Sequence, residues 1–389
     1  TLSADSINQL TAQLKKDDSQ QQVTINIEDA GDITQLQISA AGLLEFVASA
    51  PNAVIHVKSG TSSYQLPVGL LDLEAIAAEL NSSTGNLNIQ VKMETITGEV
   101  KSSFLKSVSA MGGNLLGEAI DFSIIAQSNG SSKEIKDFGK TYVSRTMRLD
   151  GNVSPNDASV VVFNPITNRL SFVPATFKTI NGKTEVTIKR NGNSIYAVVS
   201  TKKIFFEDVQ KHWASKDIDY LASRSIISGF DTSTFKPNDS ITRAQFTTML
   251  VQAMSLSPDD SVTFSDIPAN AWYKTNVGAA VKSGIASGTD PHNFKPDALI
   301  TREQMAVMIA NALAFVDKSF NENETMTLLQ PFSDRDQISS WARASVAASI
   351  EAGIIRGMDK QSFAPLDNAT RAQAAVMIRG LLTAAKFVN

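Results

Sequence analysis

Trp213, Trp272 and Trp341 are separated by 59 and then 69 residues, and a whole set of other residues keeps the same two intervals. Gly229, Gly288 and Gly357 do so, as do Phe235, Phe294 and Phe363, then Pro237, Pro296 and Pro365, and finally Arg243, Arg302 and Arg371. Each copy opens on Phe-x-Asp, at Phe206/Asp208, Phe264/Asp266 and Phe332/Asp334. That many positions in register do not arise by chance. A unit this short cannot bury a core alone, so the copies must pack on one another.

Each copy reads as helix, loop, helix. In the first helix the apolar positions are Ile218, Leu221 and Ala222, matched by Val277, Ala280 and Val281 and by Val346, Ser349 and Ile350. Gly284 and Gly353 fit the left-handed stop just past a helix, and Ser225 takes that place in the first copy. The second helix repeats apolar residues at i, i+3, i+4 and i+7: Phe246, Met249, Leu250 and Ala253 in the first copy. It starts at Thr242-Arg243-Ala244-Gln245, Thr301-Arg302-Glu303-Gln304 and Thr370-Arg371-Ala372-Gln373, where Thr with Gln three residues on predicts a capping box. Ile241 with Phe246 and Ile300 with Met305 add a hydrophobic staple, which Ala369 and Ala374 weaken in the third copy.

Capping accounts for the Thr and Gln but not for the Arg. A cation in the first turn faces the positive end of the helix dipole, at a cost of about 0.3–1 kcal/mol when exposed. Two explanations stand side by side. Helix-start N–H groups and the guanidinium fork could together hold a carboxylate or phosphate. Alternatively, each Arg could pair with Asp208, Asp266 or Asp334 within the fold.

Composition removes whole classes of chemistry. There is no Cys, which excludes disulfides, thiolate metal sites and Cys nucleophiles, and three His leave little room for a His-built metal centre. A net charge of −4 argues against a nucleic-acid partner. No run of about 18 apolar residues predicts a membrane span. The start Thr1-Leu2-Ser3-Ala4-Asp5 lacks Met and a signal peptide, so the chain reads as mature or as the C-terminal portion of something longer. In 204–389 acids slightly outnumber bases, so attraction to an anionic polymer would come from local pockets.

Phe-x-Asp, Trp-Ala or Trp-Tyr, Ser-Gly or Arg-Gly, Phe-x-Pro and Ile-Thr-Arg-x-Gln together resemble three consecutive S-layer homology (SLH) domains, at 204–258, 259–318 and 327–389. Gln replaces the family's usual Glu in that last motif. The loop motif is also shifted, to Gly229-x-Asp231, Gly288-x-Asp290 and Gly357-x-Asp359. The resemblance implies an all-α pseudo-threefold prism whose inter-repeat grooves bind the pyruvylated secondary cell-wall polymer linked to peptidoglycan of Gram-positive bacteria. Carried over by position, Arg243, Arg302 and Arg371 hold carboxylates, and Trp213, Trp272 and Trp341 flank the sugar or pack in the core. Asp208, Asp266 and Asp334 and the turn residues Ser228-Gly229, Ser287-Gly288 and Arg356-Gly357 are further candidates. Arg356 in place of Ser marks one groove as different.

Residues 1–203 carry period-two apolar runs bounded by Gly, Asn, Asp and Ser, at 23–27, 54–57, 87–93, 122–126, 160–163, 170–173, 184–188 and 195–199. Helices are expected at about 6–15, 41–49, 70–80 and 99–111. Asn181-Gly182 and Arg190-Asn191-Gly192-Asn193 predict hairpin turns. The fold class is therefore α+β: a β-rich, sandwich-like part of antiparallel strands, in one module or in two dividing near 115–135 around Ser128-Asn129-Gly130, followed by the helical repeats. The run from Tyr142 to Val199 loosely resembles the β-module that precedes SLH repeats in Bacillota surface proteins. His56, His212 and His292 read as structural, and no Gly-x-Ser-x-Gly, P-loop or His-Glu-x-x-His occurs.

The expectation is a secreted, wall-bound, non-enzymatic surface protein with no cofactor and no metal. In it, 1–203 is left for self-assembly or contact with other surface proteins. The rivals are a wall-anchored polysaccharide-active enzyme and a protein-interaction scaffold.

Overall fold

The computed structural model describes residues 1–16, 22–28, 31–318, 320–358 and 361–389. The chain divides into two units, Thr1–Ser200 and Thr201–Asn389. Among the described residues no helix is long and apolar enough to cross a membrane.

The first unit is a two-sheet sandwich with flanking helices. Its elements run α1 (Ala4–Lys16), β1 (Gln22–Asn26), β2 (Ile33–Ser39), α2 (Ala40–Ser49), β3 (Val54–Ser59), β4 (Ser62–Pro67), α3 (Leu73–Glu79), β5 (Asn88–Thr95) and α4 (Gly98–Ala110). They continue as β6 (Leu115–Ser128), β7 (Ser131–Ile135), β8 (Val143–Asp150), β9 (Ala158–Asn164), β10 (Arg169–Val173), β11 (Ala175–Ile180), β12 (Lys183–Arg190) and β13 (Ser194–Ser200). One sheet has the order β1-β3-β4-β8-β12-β11, the other β10-β9-β13-β6-β5-β2, with β7 paired to β6.

Side chains of both sheets share one core, including Val57, Tyr64, Val186 and Ile188 from the first and Ile38, Ile89, Phe122 and Tyr196 from the second. A second cluster lies on the other face of the larger sheet, where Phe104 and Val108 of α4 meet Phe163, Ile195, Ala197 and Val199. Strand β13 is thus covered on both faces, which is why its sequence is nearly all apolar rather than alternating.

Three expectations change. A division near 115–135 is absent: β6 spans that segment and pairs with both β5 and β13, so cutting there would open the larger sheet. Asn129-Gly130, read as linker, closes the β6–β7 hairpin with both residues at positive φ. Asn181-Gly182 does the same between β11 and β12. Residues 190–193 do not form a hairpin, because β12 and β13 belong to different sheets and the segment carries the chain from one to the other. Finally, β1 and β3 pair in parallel, against the antiparallel expectation.

The second unit contains α5 (Ser215–Ala222), α6 (Arg243–Ala253), α7 (Lys274–Lys282), α8 (Arg302–Phe315), α9 (Thr325–Leu329), α10 (Arg343–Glu351) and α11 (Arg371–Ala384). The additional residues between the second and third repeats hold α9, which packs on α10. Capping boxes form in full at Thr242/Gln245, Thr301/Gln304 and Thr370/Gln373. Ser225, Gly284 and Gly353 all take positive φ where the first helices end.

The repeats close on one another in a ring. Ile241 N–H donates to the Ala369 carbonyl, Ala369 N–H to Ile300, and Ile300 N–H to Ile241. Each repeat therefore touches both others, and the first is joined to the third as directly as to the second.

Candidate functional site

The ring decides what the start of each second helix can do. Arg243 N–H donates to the Ala298 carbonyl and Ala244 N–H to Pro296, both in the next repeat. Arg302 and Glu303 do the same with Asp367 and Pro365, and Arg371 and Ala372 with Asp239 and Pro237. The third N–H of each helix is held by the capping Thr. The helix-start amides are already satisfied and cannot form the anion site that the sequence suggested.

The guanidinium groups reach across the same seams. Arg243 Nε donates to the Phe294 carbonyl at 3.0 Å and Nη2 to the Ser287 carbonyl at 3.1 Å. Arg371 makes the equivalent bonds to Phe235 and Ser228, at 2.8 and 2.9 Å. Arg302 donates through Nε to Phe363 at 2.8 Å. Each also lies over the ring of that same Phe, at 4.9, 4.4 and 5.1 Å from its centre for Arg243, Arg371 and Arg302.

Burial pulls all three guanidinium groups below their usual range, opposed by Asp266 at Arg243, by Asp367 and Asp334 at Arg302, and by Asp239 and Asp208 at Arg371. Among the described residues none of the three is within ion-pair distance of a carboxylate. The unfavourable dipole position is offset by neighbouring carbonyls and a ring face, and part of each fork stays unused.

The three Asp do something else. Asp208 accepts from the N–H groups of Phe235 and Lys236, and Asp266 from those of Phe294 and Lys295. Asp334 accepts from Phe363, Ala364 and the Ser362 hydroxyl. Lys236, Lys295 and Ala364 have φ of 57°, 57° and 54°, so each Asp braces a left-handed residue at the entry to Phe-x-Pro. Burial would raise Asp334, but these donors outweigh it and hold its carboxyl below the ordinary value. Each of these carboxylates braces a loop of its own repeat.

Gly229 and Gly288 are likewise set by packing. A Cβ at Gly229 would stand 2.4 Å from the Asp231 carbonyl, and one at Gly288 2.5 Å from that of Asp290. Gly357 has φ 81°. Asp359 lies outside the described residues.

Asp231 accepts from the Thr234 hydroxyl and from the N–H groups of Ser233 and Thr234, which together lower its pKa to about 2 from 3.8. A depressed folded-state value means that the stability it lends the loop is present above pH 3.8 and is lost as pH falls through about 2. A carboxyl-carbon NMR titration should place the Asp231 midpoint near 2; a midpoint at 3.8 would show that these bonds do not persist in solution.

The tryptophans lie outside the core. Trp213, Trp272 and Trp341 are 65%, 63% and 57% exposed. Trp213 lines a cavity of about 610 Å³ with Arg302, Arg356, Gly357, Gln373 and Arg379. This groove joins the Trp of the first repeat, the motif Arg of the second and the turn of the third. Arg379 and the facing Asp217 were not anticipated. The signal for them was a break in register: eight residues after the motif Arg, Val251 and Ala310 stand where the third repeat has Arg379. Burial raises the Asp217 carboxyl, with Arg379 acting in the opposite direction.

The profile of the S-layer homology domain family matches residues 205–247, 263–306 and 331–375. An amylopullulanase of Thermoanaerobacterium thermosulfurigenes is 34% identical over 65% of this chain and 15% of its own length. Exoglucanase XynX of Acetivibrio thermocellus is 37% identical over 47% of this chain and 17% of its own. The surface-layer 125 kDa protein of Lysinibacillus sphaericus is 27% identical over 42% and 14%. The chain thus spans only about a sixth of the length of these relatives. The amylopullulanase match exceeds what the second unit holds, so that likeness continues into the β-rich unit. Residues 205–375 of the chain hold three S-layer homology domains.

Proposed function

We propose that the second unit holds the protein non-covalently to the cell wall by binding the pyruvylated secondary wall polymer in the grooves between repeats. The observation that carries this reading is the cavity where an exposed indole, Trp213, lies beside the partly unused guanidinium of Arg302. A flat aromatic face suits a sugar ring, and a fork with free donors suits a ketal carboxylate. Across the other two seams Arg371 reaches the Ser228 turn and Arg243 the Ser287 turn, and in this reading Trp272 and Trp341 complete those grooves. Several modest sites on one rigid body meeting a repeating polymer gain through effective concentration.

In this reading the chain itself is not a catalyst, and it resides at the surface of a Gram-positive cell. The second reading sets the same anchor beside a polysaccharide-active domain. What supports it is that relatives matched over a small share of their length are named as an amylopullulanase and an exoglucanase.

The test is binding of the chain to purified sacculi before and after mild-acid removal of pyruvate. Depyruvylation should reduce binding at least tenfold. Binding that survives it would overturn the carboxylate mechanism.

A further inference from the structure

The three grooves are not equivalent, and one of them departs from the other two at three charged positions. Around Arg302 the turn residue is Arg356, where the Arg371 and Arg243 grooves have Ser228 and Ser287. The same wall carries Arg379, where the equivalents are Val251 and Ala310. Asp217, four residues after Trp213, replaces Asn276 and Ser345. The cavity is therefore lined by three guanidinium groups and one carboxylate, against a single guanidinium at the corresponding positions of each other groove.

These groups are also less committed to the fold. Arg243 and Arg371 each donate a second bond to the turn carbonyl, but among the described residues Arg302 donates only through Nε. Among the described residues neither of its terminal nitrogens has a partner. Arg379 stacks on Tyr220 at 3.7 Å and gives Nη2 to the Asn389 carbonyl, while its Nη1 is a buried donor with no partner among the described residues. Arg356 is exposed at the cavity wall.

We propose that this groove takes a saccharide segment bearing two acid groups, one held by Arg302 and the second by Arg356 and Arg379, whereas each of the other two takes a single acid group. Asp217 offsets one of the three cations, and two anionic groups on the ligand neutralise the remaining two. A singly charged sugar leaves one cation facing the ligand unmatched. This inference rests on the anionic-saccharide reading above and specifies the ligand class of one of its sites.

The experiment is calorimetric titration of the full chain with two probes: a methyl glycoside carrying one pyruvate ketal, and the same glycoside with an added phosphate monoester. The wild type should bind the doubly acidic probe at one groove at least tenfold more tightly than the singly acidic one. Arg356→Ser, which installs the residue of the other grooves at an exposed position, should bring the two within about twofold by weakening the doubly acidic probe. Ser287→Arg should move the Arg243 groove toward the doubly acidic probe. An equal affinity of the wild type for both probes, or a preference that survives Arg356→Ser, would overturn the inference while the anchoring reading stands. Competition by inorganic phosphate alone as strong as that of the glycoside would also overturn it, by showing a phosphate site blind to sugar. Failure of the wild type to bind either probe would remove both readings together.

Discussion

Replacing Trp213, Trp272 and Trp341 together by Ala should weaken sacculus binding at least about a hundredfold and leave the melting midpoint of the repeat unit where it was. The two halves of this expectation come from the same measurement of exposure. An indole that is 57–65% exposed contributes little to folding, and surface substitutions of this kind typically stay within about 0.5 kcal/mol. On a ligand the same face is an anchor: aromatic contacts contribute about 1 kcal/mol each beyond area, and interface aromatics commonly more. About 3 kcal/mol lost over three grooves on one polymer is about two orders of magnitude in affinity. A pull-down titration with differential scanning calorimetry on the same preparations reads both quantities. Unchanged binding would remove the indoles from the site, and a fall in the midpoint matching the fall in binding would make them structural.

Arg145→Ala should cost the β-rich unit about 4 kcal/mol, lowering its melting midpoint by about 8–16 °C for a unit of this size. Arg145 is fully buried, and among the described residues no carboxylate is within ion-pair distance of it. Instead Nη1 donates to the carbonyls of Val143 and Arg190, and Nη2 to Gly192, Asn193 Oδ1 and the Tyr64 hydroxyl. The rings of Tyr64, Tyr196 and Phe138 surround the cation at 4.9, 5.4 and 5.9 Å. Arg190, Gly192 and Asn193 belong to the stretch where the chain leaves one sheet for the other, so the guanidinium fastens the crossing.

Removing it strands several buried acceptors and leaves a cavity. Arg145→Lys should recover little, since an ammonium cannot reproduce the planar fork. In calorimetry of the whole chain the transition of the repeat unit serves as the internal reference. A shift below about 3 °C would show that the acceptors find water or other donors.

The repeat unit was legible because its local chemistry and its packing agree. Thr242, Thr301 and Thr370 cap as their spacing requires, and Gly284 and Gly353 sit at positive φ where a left-handed stop was expected. The fate of the motif Arg was not legible. Its partners are main-chain carbonyls of the next repeat, such as Phe294 and Ser287 for Arg243, and any residue type supplies a carbonyl. For the same reason Asp208, Asp266 and Asp334 looked free to meet a ligand: the amides that occupy them leave no mark in the side-chain pattern.

In the β-rich unit β1, β3, β5, β6, β9, β10, β12 and β13 stood out as apolar or alternating runs, but β2, β4, β7, β8 and β11 did not. Ser62–Pro67 and Ala175–Ile180 mix polar and apolar residues without a clean period. The turn at 190–193 has hairpin residues yet crosses between sheets, because Arg145 and the neighbouring strand β8 fix its direction from far along the chain.

The cyclic seam has a consequence for how many repeats such a unit can have. Each repeat presents one edge to one neighbour and a different, complementary edge to the other, with bonds running both ways across each seam, and after three copies the last edge meets the first. In symmetry terms this is a head-to-tail C3 trimer threaded on a single chain. An open solenoid can gain or lose a copy and keep its two ends. A closed ring cannot. A two-repeat piece would carry one unmatched edge of each kind, and the complementary surfaces are found on a second molecule of the same kind. Truncation therefore converts an anchor into a partner for strand-for-strand exchange, and the copy number is set by closure.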